Sequence, residues 1–345
     1  MGAGDAIGII PGVLMLDERK AAILRAVVEE YIDTAQPVGS GHVANAPGVT
    51  VSSATVRNDM VVLEQEGFLH QPHTSAGRVP TDKGYRFFVD NLVEPQGLDA
   101  RQAEQVRAFF NRAHGELEEM LHDTSRLLAN LTDCAAVVVG PPHDVATVRS
   151  IQLVDLTERV VLVVAVLSNG VVEKRTIECD DPVAPEQLAA VAAHLGSHLV
   201  GTDAGAVAAA PPTGDAAVDR LVAASLAALG GTDDDDQVFV DGAFRMANAF
   251  EAVETVRSVL SILEQQLVVV TLVRDVLDRG LSVAIGTETG MEPLNECALV
   301  VSPYEVAGEP AGSIAVLGPS RMHYPQALAA VAVVSQRLSR RLTEG

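Results

Sequence analysis

One stretch of this chain, from Val51 to Arg86, limits its fold more than any other. It reads VSSATVRNDMVVLEQEGFLHQPHTSAGRVPTDKGYR, in which a helical pattern is followed by a glycine, a polar loop and a second helix start. Ser52 or Ser53 can cap the first helix, and Gly67 stands where a left-handed residue ends it. The inward positions of that helix are Val56, Met60 and Leu63. The stretch therefore predicts a short helix, a hairpin and the beginning of a further helix.

The flanking segments complete the order of elements. Helical spacing predicts a first helix over residues 16–31, and a second, short helix begins at Ser40. The runs FLH and RVP flank the loop QPHTSAG as two short strands, and another helix starts at Thr81. Three helices followed by a hairpin predict a winged helix-turn-helix over residues 16–94, a domain type that binds double-stranded DNA.

The rest of the chain divides where its hydrophobic pattern changes. Helical spacing gives way near Leu131 to valine-rich, strand-like runs, and these return after a loose, alanine-rich and acidic segment. This order predicts a sheet domain split by an inserted, mainly helical unit. The predicted segments are a disordered extension (1–15), the winged helix-turn-helix (16–94), connecting helices (95–130), the first part of the sheet domain (131–201), the insert (202–265) and the second part of the sheet domain (266–345).

The charge of the chain restricts how it can meet a polyanion. A formal net charge of −22 over 345 residues argues against a protein that coats nucleic acid or anionic membrane by bulk attraction. Even residues 16–94 hold seven lysines and arginines against eleven aspartates and glutamates. We therefore expect modest affinity from phosphate contacts alone, and a dimer that engages two half-sites would supply the rest.

Cysteine usage and hydropathy bear on location. Cys134, Cys179 and Cys297 lie far apart inside apolar runs, which predicts buried, reduced thiols of a cytoplasmic protein. The opening residues lack the layout of a signal peptide. The most apolar run elsewhere, VVLVVAVL from Val160, is too short to span a bilayer as a helix and indicates a buried strand, so no membrane segment is expected.

The third helix is the predicted reading helix, because the second helix of a helix-turn-helix pair presents its first residues to base edges in the major groove. Arg57 can bond guanine twice and Asn58 can do so with adenine, although the solvated face of any amphipathic helix can carry the same side chains. The hairpin tip offers hydroxyls, backbone donors and a cation, which suits phosphate or a minor groove. The residues predicted to contact DNA are Ser53, Ala54, Thr55, Arg57, Asn58, His73, Thr74, Ser75, Arg78, Lys83 and Arg86.

The same residues carry a family resemblance. SSATVRNDMVVLEQEGFLHQPHTSAGRVPTDKGYRFFVD, which begins at Ser52, and PVGS, which begins at Pro37, resemble motifs of the HrcA family of bacterial heat-inducible transcription repressors. GSIAVLGPSRMHYPQAL, from Gly312, resembles the family's closing motif. The likeness runs from about Leu16 to Leu342. The residues before Leu16 and the short, alanine-rich insert depart from the family's pattern.

This resemblance implies both a fold and a function. The implied fold is an α+β multidomain protein: an N-terminal winged helix-turn-helix, then a GAF-like α/β domain interrupted by an inserted dimerisation domain. The implied function is a homodimeric repressor that binds an inverted-repeat operator in front of chaperone operons, with activity supported by the GroE chaperonin. The alternative is a ligand-sensing transcription regulator, but valine- and alanine-rich strands offer few of the convergent polar groups that a pocket needs, so no small-molecule ligand is expected.

The resemblance favours the insert as the dimer contact, and one predicted helix within it has a suitable pattern. Residues 249–263 place apolar side chains at helical spacing, more than a small helical unit should leave in water. The alternative is that this stripe packs only within its own subunit. The residues predicted for dimerisation are Val253, Val256, Leu260 and Leu263.

Three other patterns have simpler explanations than chemistry. His194 and His198 have a spacing that can hold a metal, but no third ligand is nearby, so two surface histidines are expected. Asp233–Asp236 lacks the spaced ligands of a calcium loop, and GEPAGS from Gly308 lacks the lysine and threonine of a phosphate loop. They are interpreted as a solvated loop and a turn between strands. No Ser-His-acid arrangement is recognisable, so we expect no enzyme, no metal and no cofactor.

Overall fold

A computed structural model describes most of the chain. The described residues are 16–74, 76–92, 97–112, 117–141, 146–168, 171–204, 210–229, 237–246, 250, 253–280, 282–306 and 308–344. The predicted extension, residues 1–15, and the predicted solvated loop Asp233–Asp236 lie outside them. The chain divides into two units, the first made of residues 1–94 with 320–322 and the second of residues 95–319 with 323–345.

The first unit has the predicted order of three helices, a hairpin and a fourth helix. Its elements are α1 (Glu18–Thr34), α2 (Ser40–Val43), α3 (Ser53–Gln65), β1 (Leu69–His70), β2 (Val79–Pro80) and α4 (Asp82–Asp90). Strands β1 and β2 pair antiparallel, with Leu69 opposite Pro80. Ser52 is the residue that caps α3, and Gly67 takes a φ of 79° just beyond its end.

The inward face of α3 is as the helical spacing predicts. Val56, Met60 and Leu63 are each 0% exposed, and α3 packs on α1, whose Leu24 and Val27 are also fully buried. Burial of such a side chain stabilises a fold by about 1.5 to 3 kcal/mol relative to exposure. The apolar face therefore fixes which side of α3 is left to solvent.

The second unit contains eight helices and eight strands within its described residues. The helices are α5 (Ala100–Arg112), α6 (Leu117–Thr132), α7 (Pro185–Leu199), α8 (Ala216–Leu229), α9 (Ala243–Met246), α10 (Val253–Leu263), α11 (Gln266–Asp278) and α12 (Tyr324–Glu344). The strands are β3 (Ala135–Val139), β4 (Val148–Thr157), β5 (Val160–Leu167), β6 (Val172–Glu178), β7 (Val238–Asp241), β8 (Val283–Ile285), β9 (Cys297–Val306) and β10 (Glu309–Pro319). Two 3-10 turns, Gly286–Thr289 and Glu292–Leu294, follow β8.

Five of these strands form one antiparallel sheet in the order β7-β3-β10-β9-β8. Helices α6 and α12 pack on one of its faces, and α10 and α11 cover the core on the other. Because both faces are covered, every residue of β3 is buried, which explains its unbroken apolar sequence. Of the turn predicted for GEPAGS, only Gly308, with a φ of 87°, lies between β9 and β10. The prediction of a turn is wrong for the rest of the motif, because β10 begins at Glu309 and includes it.

The other three strands form a separate antiparallel sheet in the order β4-β5-β6, packed with α7 and α8 around a second core. The predicted boundaries of the insert, residues 202–265, are therefore wrong. Strand β3 pairs with β7, with Val139 opposite Val238, so the insert lies between these two strands and includes β4 to β6. Residues 238–263 belong instead with the five-stranded sheet. Hydrophobic periodicity identifies strands but not their partners, so it placed β4 to β6 in the wrong sheet.

Strand β5 alternates between two faces of the smaller sheet. Val161, Val163, Ala165 and Leu167 point into the core with α7 and α8, while the intervening residues are half-buried. The registers of β4 and β6 place further apolar residues beside them, with Val154 42% and Val172 45% exposed. We call this outer surface the open sheet face, and its members are Val154, Leu162, Val164, Val166 and Val172.

Helix α10 lies against the five-stranded sheet rather than in the insert. Val259, Ile262 and Leu263 are buried in that core, so the prediction that Leu263 lies on a free dimer face is wrong. Val256 and Leu260 are half-buried, and the side chain of Val253 lies outside the described residues.

Within the described residues no single helix is long and apolar enough to cross a membrane, although α10 and α11, bent by 90° at their junction, meet that test of length and composition as a pair.

The three cysteines are free thiols in different environments. Cys134 and Cys297 are buried, whereas Cys179 is only partly so, which corrects the expectation of three buried thiols. Burial raises the pKa of Cys134 and of Cys297 to about 12. Both side chains therefore stay protonated at neutral pH and act as small apolar residues of the core.

Candidate nucleic-acid interface

The first turn of α3 presents a cluster of hydroxyl groups. The Ser52 hydroxyl accepts a hydrogen bond from the backbone N–H of Thr55 at 3.3 Å and lies 3.0 Å from the Thr55 hydroxyl. The Ser53 hydroxyl lies 3.3 Å from that of Ser40 at the start of α2. Ser53 and Ala54 are exposed and Thr55 is half-buried. The starts of the two helices thus meet at the surface, with donors and acceptors turned to solvent.

Arg57 and Asn58 follow on the outer side of α3. Both are exposed, and within the described residues neither side chain makes a hydrogen bond or an ion pair. The polar atoms of both side chains are therefore free to bind an external partner. Both residues lie away from the apolar face of Val56, Met60 and Leu63, although exposure by itself is also what an ordinary solvated helix face would show.

The loop that joins β1 to β2 is organised by one amide. Gln71 Nε2 donates to the carbonyl of Ala76 at 2.9 Å and to that of Thr74 at 3.3 Å. The N–H of Ala76 in turn donates to the carbonyl of His73 at 2.9 Å. We call residues 71–78 the hairpin loop. Its tip exposes His73 and Thr74, while Ser75, also predicted there, lies outside the described residues.

Arg78 lies at the base of the hairpin loop. The sequence predicts it at the tip, and that prediction is wrong. Its N–H donates to the carbonyl of Val38 at 2.9 Å and its carbonyl accepts from the N–H of Val38 at the same distance. Its side chain is only 12% exposed and contacts Glu64 of α3. The guanidinium therefore joins the hairpin loop to α3 and has little surface left for an external anion.

Gly77 makes this junction possible. A Cβ atom at this position would lie 2.4 Å from the backbone carbon and oxygen of Val38, closer than a carbon atom can approach. The bare backbone thus lets the hairpin loop close against the segment before α2.

The two remaining predicted cations are engaged locally. Lys83 is exposed, and its Nζ donates to the carbonyl of Glu66 at 2.7 Å and lies 4.2 Å from the ring centroid of Phe68. The half-buried Arg86 pairs with Asp90 one turn later, at 3.3 Å. The carboxylate of Asp90 offsets part of the charge that Arg86 offers to a phosphate, whereas the contacts of Lys83 hold its ammonium group in place without offsetting its charge.

The predicted site omits one cross-helix pair. Asp59, the residue after Asn58, is directed inward, with a side chain only 9% exposed. Arg19 of α1 donates to it twice, from Nε to Oδ2 at 2.8 Å and from Nη2 to Oδ1 at 3.2 Å. The sequence does hold a signal for this contact, since an acidic residue beside Met60 interrupts the apolar face of a helix, but it does not identify the partner.

The tempting patterns elsewhere do not assemble into a metal site among the described residues. The rings of His194 and His198 lie 4.5 Å apart, and His194 Nε2 is 2.7 Å from the carbonyl oxygen of Pro211. No group of three or more metal-binding side chains occurs in the described part of the chain.

A small cavity of about 110 Å³ lies beside β6 and the start of α6. Glu118 and Gln237 are hydrogen-bonded to each other at 2.7 Å in its wall, which is otherwise mostly apolar. This cavity lies outside the core of the five-stranded sheet, where the predicted alternative of a ligand sensor would need its pocket. Its lining residues are Leu117, Glu118, Val171, Val172, Lys174 and Gln237.

Comparison with known proteins gives consistent matches over nearly the whole chain. The family model for the HrcA protein C terminal domain matches residues 118–328. The heat-inducible transcription repressor HrcA of Moorella thermoacetica is 35% identical, over 96% of this chain and 99% of that protein. The protein of the same name from a Nocardioides species is 38% identical, over 96% of this chain and 100% of that protein.

One solved structure is similar in fold. A crystal structure described as that of a hypothetical protein has a TM-score of 0.70 and 24% sequence identity, covering 96% of this chain and 99% of that one. At this level of identity the likeness supports the arrangement of elements and carries no information on function.

Proposed function

The chain belongs to the HrcA family of heat-inducible transcription repressors, and we propose that it represses chaperone operons by binding an inverted-repeat operator as a homodimer. The observation that carries this proposal is the pair Arg57 and Asn58, exposed and without partners among the described residues at the start of α3. As the family resemblance implies, the GroE chaperonin supports this activity.

In this proposal the first unit is a winged helix-turn-helix and α3 enters the major groove. Arg57 bonds the two acceptors of a guanine, and Asn58 bonds an adenine in the same bidentate manner. The hydroxyls of Ser53 and Thr55, in the first turn of α3, donate hydrogen bonds to phosphates of the DNA backbone. The tip of the hairpin loop, with His73 and Thr74, contacts phosphate or the minor groove.

Charge explains why a dimer is needed. Arg19, Arg78 and Arg86 are each paired with a carboxylate, so few free cations remain in a unit that is already acidic. One such unit neutralises few phosphates and binds DNA weakly. Joining two units makes the second contact effectively intramolecular, which raises the overall affinity without any new contact.

We place the dimer contact on the open sheet face of the insert instead of on α10. Its five apolar residues lie in register on adjacent strands, and the opposite side of the same sheet is already packed against α7 and α8. Ser150, Gln152, Lys174 and Thr176 lie between these apolar residues on the same face. Such a mixed surface can meet its own copy across a two-fold axis, which buries the same residues on both subunits. Val256 and Leu260 of α10 are the alternative contact.

The five-stranded sheet with its covering helices is proposed to be the GAF-like domain, in a structural role. The space between this sheet and α10–α11 is occupied by apolar side chains such as Val137, Leu299 and Val273. A ligand-sensing function would need convergent polar groups there, so the filled core favours repression without a small-molecule ligand.

The proposal is tested by fluorescence anisotropy with the chaperonin promoter of the organism from which the chain comes. We expect binding at least about a thousandfold tighter than to a scrambled duplex of the same length. Equal affinity for the two duplexes would overturn the proposal. Native mass spectrometry of the same sample separates the ligand sensor from the structural role, because a retained small molecule would add to the mass of the dimer.

A further inference from the structure

Asp59 occupies an unusual position on the proposed reading helix. Its side chain lies on the inward face between Val56 and Met60, both 0% exposed, and it is held by the bidentate bond from Arg19. Arg19 itself is half-exposed, with 52% of its side chain accessible. The pair therefore joins a nearly buried carboxylate on α3 to a guanidinium at the rim of α1.

The pair fixes the rotation of α3 in a way that apolar packing does not. The hydrophobic effect has no preferred direction, whereas two hydrogen bonds to one planar guanidinium define a direction as well as a distance. Successive residues of a helix are about 100° apart, so fixing Asp59 toward α1 also fixes the directions of Asn58 and Arg57.

Small rotations matter at this site. Side-chain ends lie about 5 to 6 Å from the helix axis, so a rotation of about 10° moves them by about 1 Å. A shift of that size takes a bidentate bond to a base edge out of hydrogen-bonding range. If Asp59 acted only through its charge, it would weaken binding to any DNA, because a carboxylate on the proposed reading helix repels phosphate.

We propose that Asp59, through its pair with Arg19, is a positioning residue that sets the rotation of α3 and thereby the sequence discrimination of the repressor. This inference rests on the proposed function of α3. The pair contributes little to the affinity for random DNA and much to the ratio between operator and random DNA. In some proteins a buried polar or ionic group fixes one geometry without adding stability, and we infer this role for the nearly buried Asp59 carboxylate.

The test uses two substitutions that break the same pair with opposite changes of charge. Asp59→Asn removes a negative charge and Arg19→Gln removes a positive one. Each is measured in the full-length protein for affinity to the chaperonin promoter and to a scrambled duplex, at a temperature where circular dichroism shows the variant to be folded. Glu18→Gln and Arg25→Gln are the controls, because they change the charge of α1 in opposite senses at exposed positions, and within the described residues neither side chain makes a hydrogen bond or an ion pair with α3.

If Asp59 positions α3, both Asp59→Asn and Arg19→Gln lower the operator-to-random ratio by about tenfold, the effect of one lost base contact, while both controls keep it. Opposite shifts, with Asp59→Asn tighter and Arg19→Gln weaker on both duplexes alike, would mean that the pair acts only through charge and would overturn the inference. An unchanged ratio in both variants would also overturn it. Failure of the wild-type protein to prefer its promoter would instead overturn the proposed function on which the inference rests.

Discussion

Arg78 contacts the same carboxylate oxygen of Glu64 from both Nε and Nη2, at 3.0 Å in each case. The two residues join the base of the hairpin loop to α3, the helix proposed to read DNA. A guanidinium held in this way orients the hairpin loop relative to α3, and we expect this orientation to be lost when either partner is removed.

The role of Arg78 can be separated from that of a simple phosphate contact. We expect Arg78→Ala to weaken binding to both operator and random DNA and to lower the stability of the first unit by about 1 to 2 kcal/mol, because a partly buried, charge-assisted bond is lost. Glu64→Gln breaks the same pair but leaves the cation free. Similar losses in both variants, measured by anisotropy over a salt series, fit the orienting role. Tighter binding by Glu64→Gln, together with weaker binding by Arg78→Ala, would contradict the orienting role.

Arg57→Ala and Asn58→Ala should each remove most specific operator binding without affecting the fold. Both side chains are exposed and unpaired within the described residues, so their removal leaves no buried group unsatisfied. Each lost base contact is expected to cost about 1 to 3 kcal/mol per half-site. Footprinting of the promoter, together with a thermal melt, checks both statements. A wild-type footprint from either variant contradicts the assignment.

Gly77→Ala tests the junction between the hairpin loop and Val38. The added methyl group would overlap the Val38 backbone, so we expect a loss of about 1 to 3 kcal/mol and an increased rate of proteolysis in the hairpin loop. Gly41→Ala is the matched control, because no atom lies within 4 Å of its Cβ position and it sits in α2. That substitution is expected to be neutral or to stabilise by about 0.4 to 1 kcal/mol. Equal effects of the two substitutions would rule out the steric explanation.

The dimer contact is tested by two double variants. Leu162→Asp with Val164→Asp places charges on the open sheet face and is expected to give folded monomers with far weaker operator affinity. Val256→Asp with Leu260→Asp places them on α10 and is expected to leave the dimer intact. Light scattering coupled to size-exclusion chromatography reports the mass of each. A monomer from the α10 variant and a dimer from the sheet variant would move the contact to α10.

Thiol chemistry checks the burial of the cysteines. A raised pKa means that less thiolate is present at a given pH, and the thiolate is the form that reacts. Partial burial also raises the pKa of Cys179, but this thiol is accessible while Cys134 and Cys297, with pKa values of about 12, are buried. We therefore expect Cys179 to react faster than the other two with a disulfide reagent at pH 8 in the native protein. Unfolding in guanidinium should release all three. Rapid reaction of a second thiol in the native state would contradict the burial of these side chains.

Local patterns in the sequence predict the first unit well. The cap at Ser52, the inward residues Val56 and Met60 and the left-handed Gly67 all depend on residues close in the chain, and the structure has each of them. Contacts between distant residues are a different matter. Nothing in the sequence tells that Arg19 bonds Asp59, forty residues later, or that Arg78 is drawn to Glu64 and away from the tip.

Hydrophobic periodicity does not predict which strands of the second unit pair, because pairing also depends on contacts between distant residues. Strands β3 and β5 are both valine-rich runs, yet β3 is buried on both faces and β5 on only one. The difference depends on which helices return to cover each face, and this is decided by segments that follow far along the chain. The position of the insert therefore could not be read from its composition.

The neighbouring ends of the insert have a consequence for folding order and for tolerance to length. The chain leaves the larger sheet after Val139 and rejoins it at Val238, where the N–H of Gly140 donates to the carbonyl of Gln237 at 2.7 Å. The entropic cost of closing such an excursion grows only with the logarithm of its length, by about 0.6 kcal/mol per doubling. The insert can thus lose or gain many residues with little effect on the stability of the five-stranded sheet. The contacts within the insert join residues that are nearer in sequence than those of the β3–β7 pairing. We therefore expect the insert to fold first and to bring β3 and β7 together.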